Sequence, residues 1–121
     1  RVEMRSTLQA LVLGGLCSTG LFLSAQAQAQ AVDADAAQAL AKKEGCLKCH
    51  AVDKKKEAKS LMDISKSLKG KADAEAKLVH HLTSAEMVKF DDGKEEEHKV
   101  LKTKDKAAIK NLTDWILSLA K

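Results

Sequence analysis

Cys46-Leu47-Lys48-Cys49-His50 constrains this 121-residue chain more than any other stretch, because two thiols three positions apart are followed at once by an imidazole. Four chemistries compete for that pattern. A zinc half-site would need a second ligand pair of similar spacing, for which only His80, His81 and His98 are available. A redox dithiol belongs beside a βαβ pattern, usually with a cis-proline, and the chain has no proline and no β-rich run. A plain disulfide suits an exported chain but leaves the histidine without a role. The fourth chemistry uses every part: each thiol adds to a vinyl group of haem, and the imidazole projects toward the iron from one side. The spacing therefore predicts one haem c, attached by two thioethers through Cys46 and Cys49, with His50 as the proximal ligand.

Residues 1–31 have the plan of a cleavable secretory signal. Arg1 and Arg5 form a basic start, Leu8 to Leu23 form an apolar run, and Ser24-Ala25-Gln26-Ala27 supplies small residues for cleavage. The run is shorter than the about 20 apolar residues a membrane span needs, so a retained anchor is disfavoured. Lipid attachment at Cys17 is disfavoured too, because the bulky Leu16 directly precedes it. The expected organisation is a signal peptide at 1–31 and one monohaem domain at 32–121, placed in the periplasm with no stable membrane insertion after cleavage.

Charge narrows the partners. The chain has 21 basic and 17 acidic residues, and removing Arg1, Arg5 and Glu3 with the leader leaves 19 lysines against 16 acids, an excess of three. Without arginine, and with Phe90 and Trp115 its only aromatic residues, the 32–121 region lacks the bidentate and stacking groups of a nucleic-acid reader. A mild positive excess suits transient encounters of a monomer with acidic docking surfaces on redox proteins.

Helical spacing dominates the remainder. Asp33 to Glu44 predicts a helix capped by Asp33 or Asp35, with Ala37, Leu40 and Ala41 on its apolar face and Gly45 at its end. The lysine-rich stretch from Ala51 to Ser60 reads as a solvated loop. Leu61, Ile64, Ser65 and Leu68 mark a second helix stopped by Gly70, and Ala74, Leu78, Val79 and Leu82 mark a third that begins near Asp73. Thr83 to Leu101 reads as a polar loop. Thr103 is the expected cap of a last helix carrying Ile109, Leu112, Ile116 and Leu119 at helical spacing, with Trp115 beside them. Small residues on the first helix and bulky ones on the last would let the two cross closely, with Gly45 giving room for an aromatic ring.

The run from Ala41 to Asp53, which holds the pentapeptide, and the downstream Asp114-Trp115-Ile116-Leu117-Ser118-Leu119 together resemble the small bacterial class I cytochromes c. Asp73 to Val79 is similar to that family's helix before the distal loop. The resemblance covers residues 32–121 and implies a compact all-α fold, with N- and C-terminal helices crossing and haem in the core. It also implies a one-electron carrier between periplasmic redox proteins, not an enzyme. Two departures stand out. Ala58-Lys59-Ser60 occupies the place of the family's Gly-Pro-Ala segment, whose carbonyl holds the proximal imidazole. His98-Lys99-Val100 occupies the place of the family's Met-Pro-Pro segment, 17 positions before Trp115.

The resemblance thus makes His98 the expected distal iron ligand, with Met87 as the alternative. Met62 follows His50 by only twelve residues and reads as a packing residue. His80 and His81 are neighbours on one helix, so at most one can face the haem, and both read as solvated or locally hydrogen-bonded rings. Loss of the thioether would lower the reduction potential relative to His/Met relatives. The alternative to an electron shuttle is a haem protein with a labile sixth position that binds nitric oxide or peroxide. A further alternative is a module acting only within a larger redox complex.

Overall fold

Four helices and one short hairpin account for the regular structure of residues 30–121, which are those described by a computed structural model. Cys17 and all but the end of the expected leader lie outside the described residues. Helix α1 spans Ala34–Lys43, a 3-10 turn Cys46–Lys48, α2 Leu61–Leu68, α3 Ala74–Thr83, and α4 Lys106–Ser118. Strands β1 (Met87–Lys89) and β2 (Glu95–Glu97) pair antiparallel, with Val88 opposite Glu96. Among the described residues, no helix is long and apolar enough to cross a membrane.

Side-chain caps start α1, α2 and α4, whereas Asp73 makes no such bond at the start of α3. The Asp33 carboxylate accepts the Ala36 amide at 2.9 Å, and Ser60 Oγ accepts the Asp63 amide at 3.0 Å. Helix α4 is capped by Asp105, which accepts from the amides of Ala107 and Ala108, and not by Thr103 as expected. Thr103 instead takes the Asp105 amide at 3.2 Å and so orients the true cap. Asp105→Ala is expected to lower stability by about 1 kcal/mol, the ordinary worth of an N-cap, in a denaturant titration of the haem-loaded protein.

Helix α4 is the hub on which α1, α2 and α3 all pack. Ala37 and Ala41 are buried on α1, and Leu112, Trp115 and Ile116 on α4, so small faces large where the terminal helices meet. Asn111 fastens the same crossing: it accepts the Asp33 amide and donates to the Asp33 carbonyl, both at 2.9 Å. At the C-terminal end of α4, buried Ser65 donates to the Leu117 carbonyl and accepts the Ala120 amide, satisfying backbone groups that the helix end would leave unpaired.

The hairpin departs from the polar loop expected over Thr83 to Leu101. Its turn runs through Asp91-Asp92-Gly93, with Gly93 at φ +86°, the Gly93 amide bonded to the Phe90 carbonyl, and the Phe90 amide bonded to the Lys94 carbonyl. An Asp-Gly pair is a hairpin signal. Here the flanking strands are three residues long and largely charged, so the hydrophobic alternation that would reveal them is missing.

Candidate haem site

Gly45 sets the geometry of the motif. Its φ of +82° ends α1 and turns the chain directly into the 3-10 turn that holds the first thiol. A β-carbon at Gly45 would meet only the Lys99 and Lys48 side chains, at 3.6 Å or more, so the glycine is required by its backbone angle and not by the aromatic contact expected for it. Gly45→Ala should therefore cost about 1–2 kcal/mol, the penalty of the left-handed conformation, read as a lower denaturation midpoint of the haem-loaded protein.

Backbone bonds from Cys49 and His50 back to the Cys46 carbonyl close the turn and bring both thiols to the wall of one cavity. The thiols are not joined. Burial pushes the Cys46 thiol above its ordinary value, and burial with the neighbouring Glu57 carboxylate does the same for Cys49. Cys49 Sγ lies 3.7 Å from Glu57 Oε2 as a weak donor. Neither shift favours the thiolate that a reactive redox dithiol presents.

His50 Nδ1 lies 2.6 Å from the Lys59 carbonyl. Because a carbonyl only accepts, Nδ1 carries the proton and Nε2 keeps a free lone pair, the arrangement of a ring prepared to bind a metal. Lys59 lies in the segment that replaces the family's Gly-Pro-Ala. The frame that proline would supply comes instead from backbone bonds: Ala58 N–H to the Cys49 carbonyl, Leu61 N–H to the Ala51 carbonyl and Met62 N–H to the Val52 carbonyl. The charged part of the loop, Asp53 to Glu57, is exposed as expected, whereas Ser60 at its end is buried and the loop is pinned at both ends.

The cavity has a volume of about 670 Å³. All four helices contribute apolar walls, Ala41 from α1, Leu61 from α2, Leu78 from α3 and Leu112 from α4, and Val88 and Phe90 of the hairpin close one side. Opposite His50 stands His98, half-buried, its amide bonded to the Glu86 carbonyl at 2.7 Å. The rings of His50 and His98 are centred 6.4 Å apart. Two imidazoles sharing one metal between them, each bound at about 2.0–2.1 Å, have ring centres about 6.3 Å apart. An apolar cavity of this size, with two thiols on its wall and two imidazoles at that separation, fits an iron porphyrin.

The other candidates separate clearly. Met87 is 62% exposed on β1 and lies outside the cavity lining. Met62 sits on α2, also outside it. His80 is a locally bonded surface ring, as expected, with Nε2 against Glu86 at 2.7 Å and Nδ1 against Ser84 at 3.1 Å. His81 differs from expectation: it lines the cavity, its ring centre 3.8 Å from that of His98, and the ligating atoms of His50, His81 and His98 lie within 4.8 Å of one another. Burial holds both His81 and His98 below the usual histidine range, with neighbouring rings acting in the same direction. The signal for His81 was present in the sequence, since Leu78, His81 and Leu82 fall at i, i+3 and i+4 on one helical face.

Comparison with known proteins agrees with this geometry. The cytochrome c family model matches residues 34–120. The class 1 cytochrome MtoD from Sideroxydans lithotrophicus ES-1 is similar at 56% identity and a TM-score of 0.72, covering 75% of this chain and 100% of that one. Wild-type cytochrome c552 from Nitrosomonas europaea is similar at 32% identity and a TM-score of 0.53, covering 72% of this chain and 99% of that one. Among curated proteins no match is found. With the thiol pair, the haem-sized cavity and the helical frame in place, the chain belongs to the cytochrome c family: it is a class I haem electron-transfer protein with one haem c attached covalently through the Cys46, Cys49 and His50 motif.

Proposed function

We propose that the protein is a periplasmic electron shuttle whose iron is held between His50 and His98. The observation that carries this reading is the 6.4 Å separation of those two rings across the cavity. Haem supplies a one-electron couple when bound. The chain's own residues do the remainder. His50 is oriented by the Lys59 carbonyl, and the His98 segment is tied by its amide to the Glu86 carbonyl and by the Leu101 amide to the Leu82 carbonyl. Both imidazoles are thus set before any electron arrives, and little has to move between oxidation states. With both sides of the iron taken, the site favours transfer over capture of a small ligand.

Export rests on the basic and apolar plan of residues 1–31. The partners are periplasmic redox proteins met by a monomer. An excess of three positive charges over residues 32–121 favours acidic docking surfaces. The rim of the cavity is mixed, however, with Lys48, Lys55 and Lys99 beside Glu57, Asp91 and Glu96, and Lys55 is paired with Asp91. Encounters are therefore short-lived and weakly steered.

The red-region absorption spectrum of the ferric protein tests the ligand pair. Two imidazoles give a low-spin iron with no thioether charge-transfer band, and a reduction potential below that of His/Met relatives. A thioether band in that spectrum would overturn His98 as the ligand.

A further inference from the structure

Two imidazoles stand on the distal side where one axial position exists. We propose that His81 is a reserve iron-binding residue, which takes the distal position whenever His98 leaves it; this rests on His98 being the resident ligand.

Two features carry the proposal. The ligating atom of His81 lies within 4.8 Å of those of both His50 and His98, and its ring centre is 3.8 Å from that of His98, so a displacement of side-chain size exchanges one ring for the other. The two rings come from different elements. His81 stands on α3, whose Leu78 and Leu82 are buried, whereas His98 stands on the irregular segment between β2 and α4. An opening that breaks the two backbone bonds of that segment, His98 N–H to the Glu86 carbonyl and Leu101 N–H to the Leu82 carbonyl, carries the His98 ring away and leaves the α3 ring in place. The exchange balances simply: the bond to a His98 nitrogen breaks, a bond to a His81 nitrogen forms, and no proton or electron is gained or lost.

Such a reserve keeps the site closed. An outside ligand reaches the iron only when both imidazoles are away, so its apparent affinity falls by the fraction of time the position is truly open. The device therefore protects an electron carrier from poisoning without requiring His98 to be held rigidly.

The test uses the haem-loaded protein with His98→Ala, His81→Ala and the double substitution, read by low-temperature EPR of the ferric form and carbon monoxide binding to the ferrous form. His98→Ala should stay low-spin, while the double variant turns high-spin and takes up carbon monoxide at least about tenfold faster, as an open fraction below about a tenth in the single variant requires. Free imidazole added to the double variant should restore the low-spin signal, which shows that its cavity is intact; His81→Leu with His98→Leu repeats the comparison if the alanine pair does not hold its fold. High-spin His98→Ala, or a double variant indistinguishable from it, would overturn the reserve role and leave His98 standing as the ligand. A high-spin signal from His81→Ala alone would overturn both, since His81 would then be the resident ligand.

Discussion

Replacing both Cys46 and Cys49 with alanine is expected to give a chain with no covalent haem and no cooperative fold at 25 °C. The reason lies in how the core is built. Among the described residues nine hydrophobic ones form the buried core, and six of them, Ala41, Leu61, Leu78, Leu82, Leu112 and Ile116, line the haem cavity. Without an occupant these side chains lose much of their packing. At about 24 cal/mol per Å³, a cavity of about 670 Å³ costs up to about 16 kcal/mol. Collapse and water entry reduce that figure, but the whole stability of a small domain is only about 5–15 kcal/mol. Far-UV circular dichroism and a denaturant titration of the double variant check this. A cooperative transition retained without haem would show that the helices hold their own core.

Leu112→Ala is expected to have the next largest effect, about 2–5 kcal/mol, the range for removing a fully buried leucine. Leu112 is 0% exposed on α4, the helix against which α1, α2 and α3 all pack, and it also lines the cavity. Neighbours that are held by bonds to Asn111 in the middle of α4 and through Ser65 at its C-terminal end cannot readily close over the space. The midpoint of unfolding should fall while the dependence on denaturant is unchanged, because the same surface is exposed on unfolding. A loss below about 1 kcal/mol would mean that the crossing of the terminal helices repacks freely.

Much of this architecture was legible in the residues themselves. The haem motif is local, so covalent spacing alone identifies it. The four helices follow from apolar residues at helical spacing, with a cap at Asp33 and breaks at Gly45 and Gly70, whereas Ser60, expected only as the end of a loop, caps α2. The cap of α4 was misplaced by two residues, because Thr103 and Asp105 are both good caps and tertiary context chose between them. The hairpin carries no apolar pattern for a different reason: three charged residues at Glu95–Glu97 make a strand through backbone pairing and a turn, not through an apolar face. The acceptor for His50 also required the structure, since a backbone carbonyl carries no mark of side-chain type and Lys59 is set by bonds made elsewhere in its loop. His81 was visible by spacing but was discounted along with His80; which of two adjacent rings faces inward depends on how α3 packs on α4.

Exposing the ferrous wild-type protein to carbon monoxide tests the central claim most directly, because it asks whether His50 and His98 occupy both sides of the iron. With both imidazoles bound, and His81 beside them, the absorption spectrum should stay unchanged under saturating gas. Rapid conversion to a carbon monoxide spectrum would contradict the account and identify the protein as a ligand binder with a labile distal position.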